Sequence, residues 1–284
     1  MAPIATLGRV LKSWHPAAPG ASGGIDVETM TLGATPEARG QFSVATFNLA
    51  HGRGRGLSQF LLTAAQLRRN LGDAAAILQT EPVDFLGLQE VETQGFIHGH
   101  LHQSREIAQA AGFGWLAQGH HVSGKRVAYG TALLARHPLE DAESHVFPHS
   151  GTTLAKGLVM AVGQIHGRSL RFISVHLDFL HERIRKRQLE HLAHLLAERL
   201  PLPLILMGDF NCGFRNGGAL HDTAERLGLQ IWRPHEAMNT FPRFGRRLDW
   251  ILASQELEFL DCRNWEELRS DHIAVRADFR FRDR

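Results

Sequence analysis

From Gln41 onward, short apolar runs alternate with longer stretches whose apolar residues recur every three or four positions. The short runs predict strands over 42–49, 83–89, 130–135, 157–165, 170–177, 202–208, 248–253 and 273–279. The longer stretches predict helices. Over 58–80, Phe60, Leu61, Ala64, Leu67, Leu71, Ala75 and Leu78 form one apolar stripe, and Ser58 is placed to cap the first turn. Over 182–200, Ile184, Leu189, Leu192, Leu195 and Leu196 repeat the pattern, and Pro201, lacking an amide hydrogen, ends it. Shorter helices are predicted over 103–111 and 218–227. So many strands with so few helices predict two packed sheets with helices outside.

The strand ends are polar in a recurring way. Leu204–Met207 runs into Gly208-Asp209-Phe210-Asn211, and the period of two in a strand puts Asp209 and Asn211 on one face. The run 42–47 meets Asn48, 83–88 meets Gln89 and Glu90, and 170–175 meets His176 and Asp178. Asp249 directly precedes one late apolar run, and Asp271-His272 precede another. Ionisable groups at so many sheet ends predict one shared site.

Composition sharpens this only a little. A chain of 284 residues can bury a large core. No apolar stretch approaches the roughly 20 residues of a membrane-spanning helix, and no leader pattern opens the chain. A cytoplasmic protein is expected. Cys212 and Cys262 are the only cysteines, too few for a disulfide framework or a zinc cluster. The formal charge of +2 does not by itself point to nucleic acid. Residues 1–40, with Pro16-Ala17-Ala18-Pro19-Gly20 followed by Ser22, Gly23 and Gly24, read as a partly flexible N-terminal extension to a single domain over 41–284.

Carboxylates, carboxamides and imidazoles without a thiol suit a hard divalent cation and a phosphate ester. Glu90 and Asp271 are the expected metal ligands, since Mg²⁺ takes one or two carboxylates and keeps oxygens of water and phosphate. Asp209 is expected to deprotonate the attacking water, with Asn211 holding that water or the phosphate. His176 and His272 are expected to donate to non-bridging oxygens, and Asp249 to orient His272.

The segments Thr46-Phe47-Asn48, Leu88-Gln89-Glu90-Val91, Val175-His176-Leu177, Gly208-Asp209-Phe210-Asn211, Leu248-Asp249-Trp250-Ile251 and Ser270-Asp271-His272 resemble, in order, the motifs of the endonuclease/exonuclease/phosphatase superfamily. The resemblance covers about residues 41–280. It implies a four-layered α/β sandwich, with two mixed β-sheets face to face and helices outside. It also implies Mg²⁺ dependence, with Mn²⁺ as an alternative ion, and hydrolysis of a phosphate ester. It adds Asn48 to Glu90 on the metal side, His176 on the phosphate, Asp209 and Asn211 at the water, and Asp249 and Asp271-His272 opposite. Abasic-site endonucleases carry a tyrosine where this chain has His176, which moves the resemblance towards the deoxyribonuclease, deadenylase and sphingomyelinase branches.

The main expectation is a phosphodiesterase. A phosphomonoesterase and a non-catalytic phosphate-binding module on the same fold are the alternatives. Gly52-Arg53-Gly54-Arg55-Gly56 has GxGxG spacing rather than GxGxxG and reads as a loop, with Arg53 and Arg55 as candidates for facing substrate. Gly20-Ala21-Ser22-Gly23-Gly24 matches GxSxG without the strand and helix that pattern needs. Arg183, Arg185, Lys186 and Arg187 read as a solvated helix face. Trp232, Arg233, Phe241, Arg243, Phe244, Arg246 and Arg247 interleave rings and cations before Asp249, a pattern that can stack a base and hold a phosphate, with Arg247 as the substrate contact, or cover a phospholipid headgroup.

Overall fold

The computed structural model describes residues 15–16, 22–30, 40–54, 56, 62–95, 101–124, 127–199, 201–232 and 238–283. The strands are β1 (His15–Pro16), β2 (Gly24–Thr29), β3 (Gln41–Asn48), β4 (Phe85–Gly95), β5 (Trp115–Ser123), β6 (Val127–Ala135) and β7 (Leu139–Val146), then β8 (Gly157–Ile165), β9 (Arg168–His176), β10 (Leu204–Asp209), β11 (Leu229–Ile231), β12 (Asp249–Ser254), β13 (Leu257–Arg269) and β14 (Ile273–Phe281). Among the described residues four α-helices join them: α1 (Ala64–Thr80), α2 (Gln103–Ala111), α3 (Glu182–Ala197) and α4 (Ala219–Arg226).

The strands form two mixed sheets. One has the order β1-β5-β6-β4-β3-β14-β13, with β2 also on β5, and the other β11-β12-β10-β9-β8-β7. Each sheet contains one parallel pair, β3 with β4 and β9 with β10. A parallel pair needs a crossover, and α1 and α3 supply them. The two βαβ units therefore bring the C-terminal ends of their strands to one edge of the sandwich. The antiparallel neighbours β12 and β14 begin at that same edge.

Side-chain alternation builds the layers. In β10, Ile205 and Met207 point between the sheets, while Leu204 and Leu206 point outward onto α3 and α4, beside Leu189, Leu192 and Leu220. In β3 and β4, Val44 and Phe85 point inward, and Ala45, Leu86 and Leu88 meet Leu67, Leu71 and Leu78 of α1. Phe85 and Phe172 stack across the gap with ring centroids 3.6 Å apart. Burying each such side chain contributes ~1.5–3 kcal/mol. The expected four-layered α/β sandwich is the fold observed.

Several boundaries differ from the sequence reading. The first turn of α1 is capped by Thr63, whose hydroxyl accepts from Gln66 N while Gln66 reaches back, so the helix starts later than Ser58, which lies outside the described residues. Six strands were not expected: β1, β2, β5, β7, β11 and β13. β2 lies in the segment read as a partly flexible extension, yet it pairs with β5 from Gly24↔His120 to Thr29↔Trp115. Residues 1–14, 17–21 and 31–39 of that extension lie outside the described residues, as do Arg55 and Arg233.

Candidate functional site

The inward face of each sheet changes character on approaching the shared edge. Thr46, Gln89 and Ser174 are buried there, and Gln89 Nε2 donates to Thr46 Oγ1 and Ser174 Oγ, both at 3.0 Å, tying sheet to sheet. One step further, the same parity presents Asn48, His176, Asp209 and Asp249. Asp209 faces His176 in the parallel register and Asp249 in the antiparallel one, so three ionisable groups stand side by side on β9, β10 and β12.

Asp209 is 1 % exposed and well held. Asn48 Nδ2 donates to its Oδ2 at 2.9 Å from the opposite sheet, and Asn211 N donates to Oδ1 at 2.9 Å. Burial pushes its carboxyl up to about 7; His272, Asn48 and Asn211 pull against the rise and Asp249 adds to it. Gly208, just before it, has φ +149°, and a Cβ there would sit 2.0 Å from the Val175 carbonyl oxygen. Only glycine lets β10 approach β9 this closely.

His272 Nδ1 donates to Asp249 Oδ2 at 2.8 Å, and its Nε2 lies 3.8 Å from Asp209 Oδ2. Burial disfavours the imidazolium, but Asp249 and Asp209 outweigh it and push the pKa up to about 10. Asp209, Asp249 and His272 present donor atoms within 4.8 Å of one another, a cluster able to hold a metal ion. A second group, His221, Asp222 and Glu225 on α4, is more exposed.

Glu90 enters through a distortion. The β4–β6 register slips between Leu88 and Val91, and Glu90 takes φ +53°, unusual for a residue with a Cβ. The bulge turns its carboxylate towards His51, Lys156 and His176, at 3.5, 3.9 and 3.7 Å. Burial works against its charge, but these cationic and imidazole groups outweigh burial and hold the carboxyl far below the usual range. Burial, with Lys156 beside it, pulls His176 well below an ordinary histidine. Lys156 Nζ lies 3.4 Å from His176 Nδ1. An ammonium only donates, so Nδ1 is the acceptor and the ring proton sits on Nε2, 3.6 Å from Asp209 Oδ2.

Asn48, Glu90, His176, Asp209, Asn211, Asp249 and His272 thus meet at one edge. Asp271 stands at the rim and pairs with Arg53 Nη2. Asn211, at φ +51°, gives its Nδ2 to the Leu177 carbonyl at 3.0 Å. Arg247 is engaged by the Trp250 ring, 3.9 Å from its guanidinium carbon. Asp178, at a strand end, serves the loop instead: it accepts from Leu180 N and His181 N. His51 and Lys156 were missed by the sequence reading. Lys156 directly precedes β8 and is the only lysine or arginine between Arg136 and Arg168. The strand-end rule that marked Asp249 applies equally to it.

A family model described as the Endonuclease/Exonuclease/phosphatase family matches residues 45–272. The chain belongs to this family. Its solved relatives in fold include an endonuclease/exonuclease/phosphatase from Beutenbergia cavernae, 19 % identical with TM-score 0.67, over 85 % of this chain and 72 % of that one. Truncated TDP2 of Caenorhabditis elegans is 19 % identical with TM-score 0.61, over 84 % and 97 % of the two chains. A mannosyl-6-phosphatase of Bacteroides thetaiotaomicron is 17 % identical with TM-score 0.60, over 84 % and 100 %. No curated protein matches the chain. The fold is that of the family's phosphoesterases, and among the described residues no helix is long and apolar enough to cross a membrane.

Proposed function

We propose that the chain is a metal-dependent phosphodiesterase in which Asp209 activates water. The observation that carries this reading is geometric: Asn48, His176, Asp209, Asp249 and His272 converge at one sheet edge, with Asp209 raised towards neutrality by burial and His272 Nδ1 held by Asp249 Oδ2 at 2.8 Å. A base works best with a pKa near the working pH. Asn48 and Asn211 fix the Asp209 oxygens, so its free lone pair takes the proton of the attacking water. The Nε2–H groups of His176 and His272 lie beyond hydrogen-bond reach of Asp209 and remain available to the phosphoryl oxygens. Lys156 adds positive field beside Glu90, His51 lies against the same carboxylate, and Arg53 and Arg247 are the outer substrate contacts.

The donor chemistry fits a hard cation. Oxygens of Glu90 and Asp271, with the Asn48 carboxamide, would hold Mg²⁺ or Mn²⁺, which supplies polarisation of a phosphoryl oxygen and offsets its developing charge. Within the tight Asp209, Asp249 and His272 cluster the two carboxylates favour the imidazolium, so a metal there would have to displace its proton. That favours a proton-handling role for the cluster. Cys212 and Cys262 are free thiols, in keeping with a reducing, cytoplasmic setting.

The test is hydrolysis of bis-p-nitrophenyl phosphate against p-nitrophenyl phosphate, with Mg²⁺ and with chelator. Diester turnover that chelation abolishes supports the reading. Preference for the monoester would make the protein a phosphatase, and metal-dependent binding without turnover would make it a binding module.

A further inference from the structure

A groove of about 610 Å³ opens beside Asn211, between the start of α3, the 212–220 loop and the 245–248 segment. Arg185, Lys186, Arg215, Arg246 and Arg247 line it, with Glu182 the one carboxylate among the described lining residues. In a chain of formal charge +2 this is a strong local concentration. Arg185 donates to the Asp178 carbonyl at 3.0 Å. Lys186, Arg215 and Arg246 are exposed and make no ion pair with any described residue. Like charges gathered in one concavity repel one another, and an anionic ligand relieves that repulsion.

A file of rings leads outward from the same site. Phe241 packs on His272 with centroids 4.7 Å apart, and Phe244 stacks on Phe241 at 5.5 Å and 28°. Phe244 is 64 % exposed, on a turn closed by the Phe241–Arg246 bridge, with Arg243 and Arg246 close in sequence. A large, mostly exposed ring fixed by a second ring, with the Arg243 guanidinium carbon 5.7 Å from its centroid, offers a surface on which a flat, unsaturated partner can stack beside a cation.

We propose that this groove and Phe244 bind single-stranded nucleic acid, the groove taking a backbone phosphate next to the reacting one and Phe244 stacking a base. The proposal rests on the phosphodiesterase reading of the site. A lone phosphate ester would use neither feature. A membrane surface is flat and would not reach cations set within a concavity, and a duplex hides its base faces. A single strand supplies repeated charge and accessible bases together.

The test uses fluorescence anisotropy of a labelled oligodeoxythymidylate with the full chain carrying Asp209→Asn, in Mg²⁺. Phe244→Ala and the combined Lys186→Gln, Arg215→Gln, Arg246→Gln variant should each weaken binding about tenfold or more. The combined variant should also flatten the log–log salt slope by about 0.7 for each phosphate that is no longer neutralised. Phe244→Trp should bind at least as well as the parent. With Asp209 intact, the combined variant should lose at least tenfold more activity on the oligonucleotide than on bis-p-nitrophenyl phosphate. Unchanged binding in both variants, or equal loss on both substrates, overturns the proposal. Hydrolysis of the small diester with the oligonucleotide ignored sinks this proposal alone, and no diester hydrolysis sinks the phosphodiesterase reading as well. Binding to phosphatidylglycerol vesicles but not to the oligonucleotide also overturns it, in favour of a lipid surface.

Discussion

Asn48 and Asp209, 161 residues apart in the chain, join the two sheets through a 2.9 Å hydrogen bond at the edge of the sandwich. Asn48 is held in turn, its Oδ1 accepting from Ala50 N at 3.0 Å and its carbonyl from Ser270 Oγ at 2.7 Å. The proposed base therefore sits on one sheet while one of its donors sits on the other. Asn48→Ala removes a donor that favours the carboxylate, so the Asp209 pKa should rise further. The acidic limb of kcat/KM should move to higher pH, with turnover reduced at neutral pH. A profile superimposable on the parent's would show that the bond does not act on the base.

Asp209→Asn should cost two or more orders of magnitude in turnover, the scale of general-base loss. The same change should stabilise the fold under mildly alkaline conditions. The folded carboxyl lies near 7 against an ordinary 3.8, so ionisation opposes folding progressively as pH rises through that window. Thermal melts should show the variant gaining on the parent from pH 5 to pH 8. A constant difference across that range would reject the buried-charge account.

His121 on β5 is an acid-sensitive element outside the site. Its Nε2 bonds Thr131 Oγ1 at 2.9 Å, while its buried Nδ1 has no partner among the described residues. Burial, with His120, Lys156 and His145 adding, pulls its pKa from 6.5 down to about 3. A histidine kept neutral by the fold is protonated first in the unfolded chain. Its stabilising contribution is therefore present above 6.5 and is lost as pH falls towards 3, by ~1.4 kcal/mol per pH unit. Urea midpoints measured from pH 7 to pH 4.5 should fall less steeply in His121→Gln than in the parent. Parallel slopes would assign the acid sensitivity to other groups.

The legible part of the site is the part that ends apolar strands. Asn48, His176 and Asp209 close strands, and Asp249 opens one, so the same period that marks the core also places them. Glu90 was legible as a residue but not as a conformation, because its bulge depends on the β4–β6 register. His51 follows a strand end within a 3-10 turn at φ +56°, where no periodic signal exists. Two of the unexpected strands, β7 and β13, share one cause. β7 reads Leu-Glu-Asp-Ala-Glu-Ser-His-Val and β13 carries charges along 13 residues, and each lies at a sheet edge where polar residues face water. β5 hides its pattern differently, by burying Gln118 and His121 among its apolar residues.

Arg53 and Asp271 make the last test, because their pairing puts two proposed functions in competition. Arg53 reaches Asp271 from the loop after β3, with the two side chains 20 % and 30 % exposed. If Asp271 serves a divalent cation, that cation must share the carboxylate with a guanidinium already in contact. Two positive charges on one carboxylate repel, although partial exposure and salt screen the effect. Arg53→Gln should therefore tighten Mg²⁺ binding in calorimetry by about a few-fold, since the competing charge is gone. The same variant should raise KM for a diester, because the substrate loses a cation at the rim. Weaker Mg²⁺ binding in the variant would mean that Arg53 positions Asp271 for the metal, and the competition would be wrong in sign.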